Sequence, residues 1–345
     1  MSGVSFYLKT LAKTEKKCYN ICTKIKIKQK SVAYKQISSQ RYSWLNLVHP
    51  KMDDITYLRE QVGSFDTSDL ESILAHSKRP KIEIREKYIF LVLLFPIYNS
   101  ETREIESEEL DIFLNKEWLI TVHDNKLKRL SELFETCQGR TKTRDEYFQD
   151  MPLYLLENIL NRLISYTYAL LDTVSNDIEA HDKKLFTRSA KRLTVDILVI
   201  RRNITEFRRI MQTHKNTLRK LVEIIKTNGL IDDQIEKTRL ATNFNDVIER
   251  VKDVWGQLEG YKESIEALHE TNESLMSNRL NDIMRSFTTI SVLIFTMTLV
   301  ATIFGLGAGG TPVVGSRYGF WIIIFILLIA ALAMLQYFRR KQWLK

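Results

Sequence analysis

Two long uncharged stretches lie near the end of the chain. Residues 287–306 and 318–338 carry no charged side chain. Each is about as long as a helix that crosses the ~30 Å hydrocarbon core of a bilayer. The second stretch is apolar on all sides, which is typical of a helix that faces lipid. The pattern predicts two transmembrane helices, a first span and a second span, joined by a short loop over residues 307–317.

The first span differs from the second because it carries a stripe of polar and bulky residues in alternating steps of three and four. This first-span stripe consists of Asn281, Met284, Thr288, Ser291, Phe295, Thr298 and Thr302. Residues at this spacing share one face of a helix. Two interpretations stay open. Either the hydroxyl groups bond to their own helix and ease helix packing, or the stripe lines a pore formed by identical copies.

Before the first span, mostly apolar residues recur in alternating steps of three and four residues. This spacing predicts a long stalk helix over residues 231–286 with a coiled-coil-like seam. The seam positions are Phe244, Val247, Val251, Val254, Leu258, Tyr261, Ile265, Leu268, Asn272 and Leu275. Asn272 either fixes the register of the seam or is a tolerated polar defect. The stalk helix is expected to continue into the first span without a break.

The rest of the chain predicts a mixed domain followed by helices. Residues 141–230 read as a long helical hairpin with a turn near Phe186 and an end marked by Gly229. Residues 41–140 contain β-type runs at 88–95 and 118–123. They also contain helical stretches at 53–62, 68–77 and 124–136. The predicted fold class is an α+β cytoplasmic domain joined to an all-α transmembrane part.

Charge is concentrated at the N-terminus. Residues 1–50 hold ten basic side chains and one acid, Glu15, so this region accounts for the whole net charge of +9. A basic arm over residues 1–40 is expected to contact anionic lipid headgroups or to be a solvated tail. Because the remainder is neutral overall, nucleic acid is not an expected partner.

Basic residues also flank the two spans. Arg279 and Arg285 precede the first span, and Arg339, Arg340 and Lys341 form a basic cluster directly after the second. The positive-inside rule then places both termini in the cytoplasm, on a multi-pass protein of the cell membrane. The first 30 residues lack the apolar core of a signal peptide, which agrees with this orientation.

Chemistry-bearing motifs are scarce. Cys18, Cys22 and Cys137 have no metal-ligand spacing, and the six histidines are scattered along the chain. The sequence contains no glycine-rich phosphate loop or nucleophile elbow. We therefore expect neither an enzyme nor a bound cofactor, and we expect the histidines to be structural.

Several motifs occur in an order that resembles the CorA family of magnesium and divalent-cation transporters. They are Trp44-Leu-Asn-Leu47, Lys78-Arg-Pro-Lys-Ile82, Trp118-Leu-Ile-Thr-Val-His123, Tyr318-Gly-Phe-Trp321 and Phe338-Arg-Arg-Lys-Gln-Trp-Leu344. The resemblance implies a funnel-shaped homopentamer whose first span lines the pore and whose second span lies outside it. The implied partners are other copies of the chain and membrane lipids.

The resemblance also implies roles for single residues. Asn281, Met284, Phe287 and Phe295 match places where the pore is constricted, and Phe287 is the preferred gate because apolar constrictions close pores by dewetting. Gly305, Leu306 and Gly307 stand where the family has its Gly-Met-Asn selectivity signature. Gly307 therefore lacks the carboxamide that would hold a hydrated cation.

A cytoplasmic metal-sensing site is implied less completely. Where the family has a pair of acidic residues, this chain has Glu71 and Ser72. Asp246 lies near the position of the acidic stalk residue that would complete the site in the family. The expected function is a channel for divalent cations, with Mg²⁺ first among them. The alternatives are a transporter for Zn²⁺, Co²⁺ or Ni²⁺, and a non-conducting pentameric membrane scaffold.

Overall fold

The computed structural model of the chain describes residues 34–39, 41–75, 79–148, 150–185, 190–227, 229, 231–306 and 317–341. The chain divides into two compact units. The first comprises Met1–Lys183 with Val195–Ile265, and the second comprises Lys184–Thr194 with Glu266–Lys345. Most of the predicted basic arm, Phe186 and Gly307 lie outside the described residues.

Within the described residues, the first unit contains a six-stranded mixed sheet in the order β1-β2-β6-β5-β4-β3. Its strands are β1 (Tyr34–Ser38), β2 (Ser43–Val48), β3 (Lys81–Ile84), β4 (Ile89–Asn99), β5 (Glu104–Leu114) and β6 (Trp118–His123). β2 and β6 are parallel, and the other pairs are antiparallel. The runs predicted at 88–95 and 118–123 are confirmed as parts of β4 and β6.

One face of the sheet packs on two short helical segments. These are α1 (Met52–Tyr57), which continues as a π-helical turn over Leu58–Val62, and α2 (Thr67–Ala75). Apolar side chains at every second strand position meet Leu58, Leu70 and Ile73, which are almost completely buried. The helical stretch predicted at 53–62 is confirmed, and the one predicted at 68–77 is confirmed as far as Ala75, after which residues 76–78 lie outside the described residues.

The opposite face of the sheet meets the next helix of the first unit. This helix is α3 (Lys128–Gly139), and α4 (Thr141–Tyr147) follows it. The indole of Trp44 lies edge-on to the ring of Phe134, with centroids 4.7 Å apart, and its Nε1 donates to Thr121 Oγ1 at 3.0 Å. Both faces of the sheet are thus covered by helices.

β1 starts upstream of residue 41, where the sequence placed the boundary between the basic arm and the α/β domain. The strand is held by its pairing with β2, by the buried side chain of Ile37 and by the ring of Tyr34, which stacks on Tyr57 at 4.5 Å. Only one of its five side chains is buried. The strand was missed because its sequence has almost no alternation of apolar and polar residues.

Four long helices complete the described chain: α5 (Pro152–Lys184), α6 (Ala190–Thr227), α7 (Gln234–Gly305) and α8 (Gly319–Arg340). α5 and α6 lie in the range 141–230, where the sequence predicted a helical hairpin, and the turn predicted near Phe186 lies outside the described residues. The break at Gly229 separates α6 from α7. The predicted continuity of the stalk with the first span is confirmed, because α7 is one uninterrupted helix of 72 residues.

Most of the seam of α7 is buried as the spacing predicted, whereas Tyr261 and Leu275 are half-buried. Phe244, Val247, Val251, Val254 and Leu258 are completely buried in the first unit. The contacts of α7 there include the Tyr168 hydroxyl, which donates to the carbonyl of Arg250 at 3.4 Å. In the second unit, the buried amide of Asn272 donates to Thr194 Oγ1 at 3.0 Å.

Candidate functional site

The candidate site is the face of α7 that carries the first-span stripe. All seven residues lie on this helix, and their spacing places them on one side of it. α7 and α8 are both long and apolar enough to cross a membrane, and only 6% of the most apolar window of each is buried. Apolar surfaces of this size require lipid or further copies of the chain to cover them.

The threonines of the stripe hydrogen-bond to their own helix. Thr288 Oγ1 donates to Met284 O at 2.8 Å, Thr298 Oγ1 donates to Ile294 O at 2.8 Å, and Thr302 Oγ1 donates to Thr298 O at 2.7 Å. A hydroxyl has one hydrogen and two lone pairs. Because each hydrogen is used by the helix, each oxygen presents only acceptor lone pairs to its surroundings.

The bulky residues at the same face have different chemistry. The side chains of Phe287 and Phe295 are 67% and 74% exposed, and Met284 is also exposed. Rings of such side chains from several copies would narrow a pore with an apolar wall, which excludes water more readily than a polar wall does. Asn281, about one turn before Met284, is exposed and carries an amide.

The C-terminal end of α7 provides little side-chain chemistry. Apart from its sequence neighbours and its own helix backbone, Gly305 has no atom within 4 Å of the position where a Cβ would stand, and Leu306 is 75% exposed. Gly307, which the sequence assigns to the selectivity signature, lies outside the described residues. The last side-chain oxygen of the described helix is therefore that of Thr302.

Basic residues lie at the far end of α8. Arg339 and Arg340 form its last turn, and Lys341 follows with its Nζ 5.4 Å from the centre of the Tyr337 ring. Arg and Lys near the end of an apolar helix interact favourably with lipid headgroups. These three residues directly follow the second apolar segment, and the basic ring at the membrane that the sequence predicts for them stays a prediction.

The predicted metal-sensing residues occupy separate elements. Glu71 is exposed on α2, and its neighbour Ser72 bonds locally, donating to Ser68 O at 2.8 Å. Asp246 is exposed on α7. The pKa of Glu157 on α5 is raised chiefly because Glu157 is buried, and the negative charge of Asp246 adds a smaller increase. In the described part of the chain, no group of three or more His, Cys, Asp or Glu side chains is placed to hold a metal ion. A sensing site shared between copies stays a prediction.

Sequence reasoning missed three buried carboxyl groups. Glu108, Glu109 and Asp111 on β5 lie in the interior of the first unit, and only 3% of Asp111 is exposed. Burial, followed by the negative charge of Glu109, raises the pKa of Asp111 well above its usual range. The alternation of Glu104, Glu106 and Glu108 with Ile105 and Ser107 is a weak strand signal, and no local pattern indicates that the carboxyl groups are buried.

Two buried histidines have structural surroundings. Burial lowers the pKa of both His123 and His214 to about 4, so both are neutral near pH 7. His123 Nε2 lies 3.2 Å from Asn46 Oδ1, and His214 Nε2 contacts the carbonyl oxygen of Leu94. The thiol of Cys137 is also buried, which raises its pKa to about 11 and makes it unreactive.

Comparison with known proteins gives a match over almost the whole described chain. The profile of a family described as CorA-like Mg²⁺ transporter protein matches residues 39–340. This range includes the α/β domain except β1, the stalk portion of α7 and both apolar segments. The match covers four of the five sequence motifs completely and the beginning of the fifth, which runs from Phe338 to Leu344.

Individual relatives are distant in sequence. The chain is 24% identical to a cobalt/magnesium transport protein CorA of Thermotoga maritima over 88% of this chain and 83% of the relative. It is 22% identical to a divalent cation transporter, CmaX, of Pseudomonas aeruginosa over 92% of each. A structure of the CorA magnesium transporter from Methanocaldococcus jannaschii, 19% identical, matches 92% of this chain and 100% of that chain with a TM-score of 0.77. This last similarity establishes the shared fold.

Proposed function

The chain belongs to the family of CorA-like Mg²⁺ transporter proteins, and on this premise we propose that it is a channel for divalent cations whose pore is lined by α7. The observation that carries the proposal is the chemistry of α7 itself. One uninterrupted helix bears a buried seam in the first unit and, within its apolar segment, a stripe of hydroxyl groups that donate to their own helix and leave oxygen lone pairs available as acceptors. Such a stripe suits the wall of a water-filled cation path.

We propose that several copies, five by analogy with the fold family, enclose this pore. A single helix cannot shelter its polar stripe from lipid, whereas a ring of α7 helices turns every stripe inward. The apolar faces of α7 and α8 that are uncovered in one copy would then contact lipid or neighbouring copies. Membership of a transporter family also supports the prediction that the chain is not an enzyme.

Mg²⁺ is the ion that we propose first. The names of the relatives, which are described as cobalt/magnesium or divalent cation transporters, support divalent cations as the class. Mg²⁺ gives up its water shell reluctantly and is therefore best bound through its waters by acceptor oxygens. Co²⁺, Ni²⁺ and Zn²⁺ are the alternative ions, because the signature asparagine is replaced by Gly307.

A non-conducting scaffold is the second candidate function. The sequence from Gly305 to Tyr318 contains no acid and no amide side chain, and its single charge is that of Arg317. An outer mouth of this composition does not concentrate cations electrostatically. The scaffold and the channel differ in one measurable property, the passage of ions through assembled protein.

Flux through reconstituted full-length protein tests the proposal. We expect proteoliposomes loaded with a metal-sensitive dye to report Mg²⁺ entry above the level of protein-free liposomes, with Co²⁺, Ni²⁺ and Zn²⁺ measured in parallel. Native mass measurement of the same preparation establishes that the protein is assembled. Assembled protein that passes none of these ions would contradict the channel and support the scaffold.

A further inference from the structure

A pair of buried carboxyl groups lies on the face of the sheet that α1 and α2 cover. Asp111 stands directly opposite Val92, which belongs to the apolar layer of that face, and Glu109 is two residues away on the same strand. Only 3% of Asp111 and 6% of Glu109 are exposed, and their carboxyl groups hydrogen-bond to each other. A carboxylate has no hydrogen to donate, so this bond requires a proton on one of the two groups.

Asp111 is the member of the pair that retains this proton. Burial, followed by the negative charge of Glu109, raises its pKa well above the usual range. Its Oδ1 has no hydrogen-bond partner in the part of the chain that the structure describes. Two further charges act on Asp111 from neighbouring elements: Lys81 on β3 lowers its pKa, and Asp124 after β6, which lies 3.4 Å from His49, raises it. Lys81 is thus the cation whose charge acts on the pair.

The same lysine holds the last turn of α2. Lys81 Nζ donates to Ser72 Oγ at 3.3 Å, pairs with Glu83 at 3.0 Å and lies 4.9 Å from the centre of the Phe90 ring. The Ser72 hydroxyl gives its own hydrogen to Ser68 O at 2.8 Å, so its oxygen is left to accept from the ammonium group. Because lysine carries a compact charge on a flexible stem, its ammonium group can exchange one set of oxygen partners for another.

The beginning of α2 is fixed by a separate set of bonds. Asp69 is completely buried and accepts from Arg85 Nε at 2.9 Å, from Arg85 Nη2 at 2.7 Å and from the Tyr88 hydroxyl at 2.8 Å. Movement of Lys81 therefore leaves this end of α2 in place and affects the turn that ends at Ala75. Glu71, which the sequence predicts for metal sensing, immediately precedes Ser72 on this helix.

We infer that the proton shared by Glu109 and Asp111 is a switch, and that its loss draws the ammonium group of Lys81 from Ser72 to the carboxylate pair and releases the last turn of α2. The proton leaves to the solvent, and the pair gains one negative charge, which the ammonium group compensates. Because the proton is lost as the pH rises, α2 is held at lower pH and loosened at higher pH. This inference does not depend on the proposed channel function.

Hydrogen exchange in full-length protein in detergent tests the switch, because it reports local opening. After correction for the intrinsic pH dependence of exchange, we expect the protection of the amides from Ser72 to Ala75 to fall about tenfold between pH 5 and pH 9, on the scale of one hydrogen bond to a charged group. The amides of β4 from Phe90 to Leu94, in the centre of the sheet, are the internal reference and should keep their protection.

Two variants isolate the two parts of the switch. Asp111→Asn keeps a hydrogen-bond donor for Glu109 and cannot ionise, so the last turn of α2 should stay protected over the whole pH range. Lys81→Met keeps an unbranched stem but removes the ammonium group, so protection should be low and independent of pH. The matched control Lys116→Met removes an exposed lysine that lies 3.2 Å from Asp232, and it should retain the pH response of the unmodified protein.

Three results would overturn the switch. They are constant protection of α2 in the unmodified protein up to pH 9, a pH response that persists in Asp111→Asn, and a normal pH response in Lys81→Met. Circular dichroism establishes that each variant is folded. If Lys81→Met does not fold, the comparison of the unmodified protein with Asp111→Asn decides the question alone.

Discussion

A buried carboxyl group on β5 couples the stability of the first unit to pH. Burial and the charge of Glu109 raise the pKa of Asp111 well above its usual range. Below about pH 4, this carboxyl is protonated in both the folded and the unfolded chain. As the pH rises, the unfolded chain releases the proton first while the fold retains it, so the free energy of unfolding decreases until the pH passes the folded pKa.

Asp111→Asn tests this coupling. The amide is neutral at every pH and is nearly the same size as the acid, so the variant avoids the loss of stability above pH 4. We expect full-length protein in detergent to be more stable at pH 7 by about 1 kcal/mol, on the scale of relieving one poorly solvated polar group. This corresponds to a melting temperature roughly 2–4 °C higher. At pH 4 the two proteins should melt together.

The matched control is Glu117→Gln, which neutralises an exposed acid in the turn between β5 and β6. Its melting temperature should follow that of the unmodified protein across the pH range. A lower melting temperature for Asp111→Asn at pH 7 would show that the ionised carboxylate stabilises the fold, which is the opposite of the effect argued from its burial.

Single residues also show what the sequence could reveal about the candidate site. The spacing of Thr288, Thr298 and Thr302 was sufficient to place their side chains on one face of α7. The direction of their hydroxyl hydrogens was not predictable from spacing, because a threonine bonds either to its own helix or to a neighbour. That direction is the property that makes the stripe suitable for cations.

Among the elements, α7 and β5 represent the two extremes of predictability. The seam of α7 repeats in steps of three and four without interruption, and the burial of Phe244, Val251 and Leu258 follows from it directly. β5 pairs along its whole length with β4 despite its five acidic residues. Pairing and burial overrule its poor strand propensity, and no local pattern carries that tertiary information.

Asn272 is a polar residue in the otherwise apolar seam, and its amide donates to Thr194 at 3.0 Å. Such a bond favours one alignment of neighbouring helices at a cost in stability. We expect Asn272→Leu to raise the melting temperature, because it buries an apolar side chain, and to broaden the distribution of assembled species in native mass spectra. Loss of the directional bond allows more than one alignment.

A leucine introduced outside the seam provides the control for this variant. Ser274→Leu adds the same side chain at an exposed position of α7 and should leave the mass distribution unchanged. If Asn272→Leu forms a single species identical in mass to the unmodified protein, the asparagine is a tolerated polar defect and has no part in specifying assembly.

For the whole molecule, one chain determines the fold of each unit but not the contacts of the proposed assembly. In that proposal, the number of copies and the environment of the first-span stripe depend on contacts between chains, which neither local spacing nor the packing of a single copy specifies. The distribution of charge is different, because the position of basic residues along the chain directly biases membrane orientation.

Orientation follows from Arg279 and Arg285 before the first apolar segment and from Arg339, Arg340 and Lys341 after the second. This bias favours both flanking regions in the cytoplasm and the loop 307–317 outside. After Cys18, Cys22 and Cys137 are replaced, we expect a membrane-impermeant maleimide to label Ser316→Cys in intact cells. A cysteine at Ser277, on the exposed surface of α7, should react only after permeabilisation.

The two cysteine variants control for each other, because each is accessible from one side of the membrane alone. Labelling of both variants in intact cells would mean either that the membrane was leaky or that the protein was misinserted. Uptake of the reagent by cells that lack the protein would identify a leaky membrane. The reverse pattern would place the first unit outside the cell, and the orientation derived from the basic residues would then be wrong. The reverse pattern would also mean that the single positive charge of Arg317, in the loop between the spans, had a stronger effect on orientation than the basic residues before the first span and after the second.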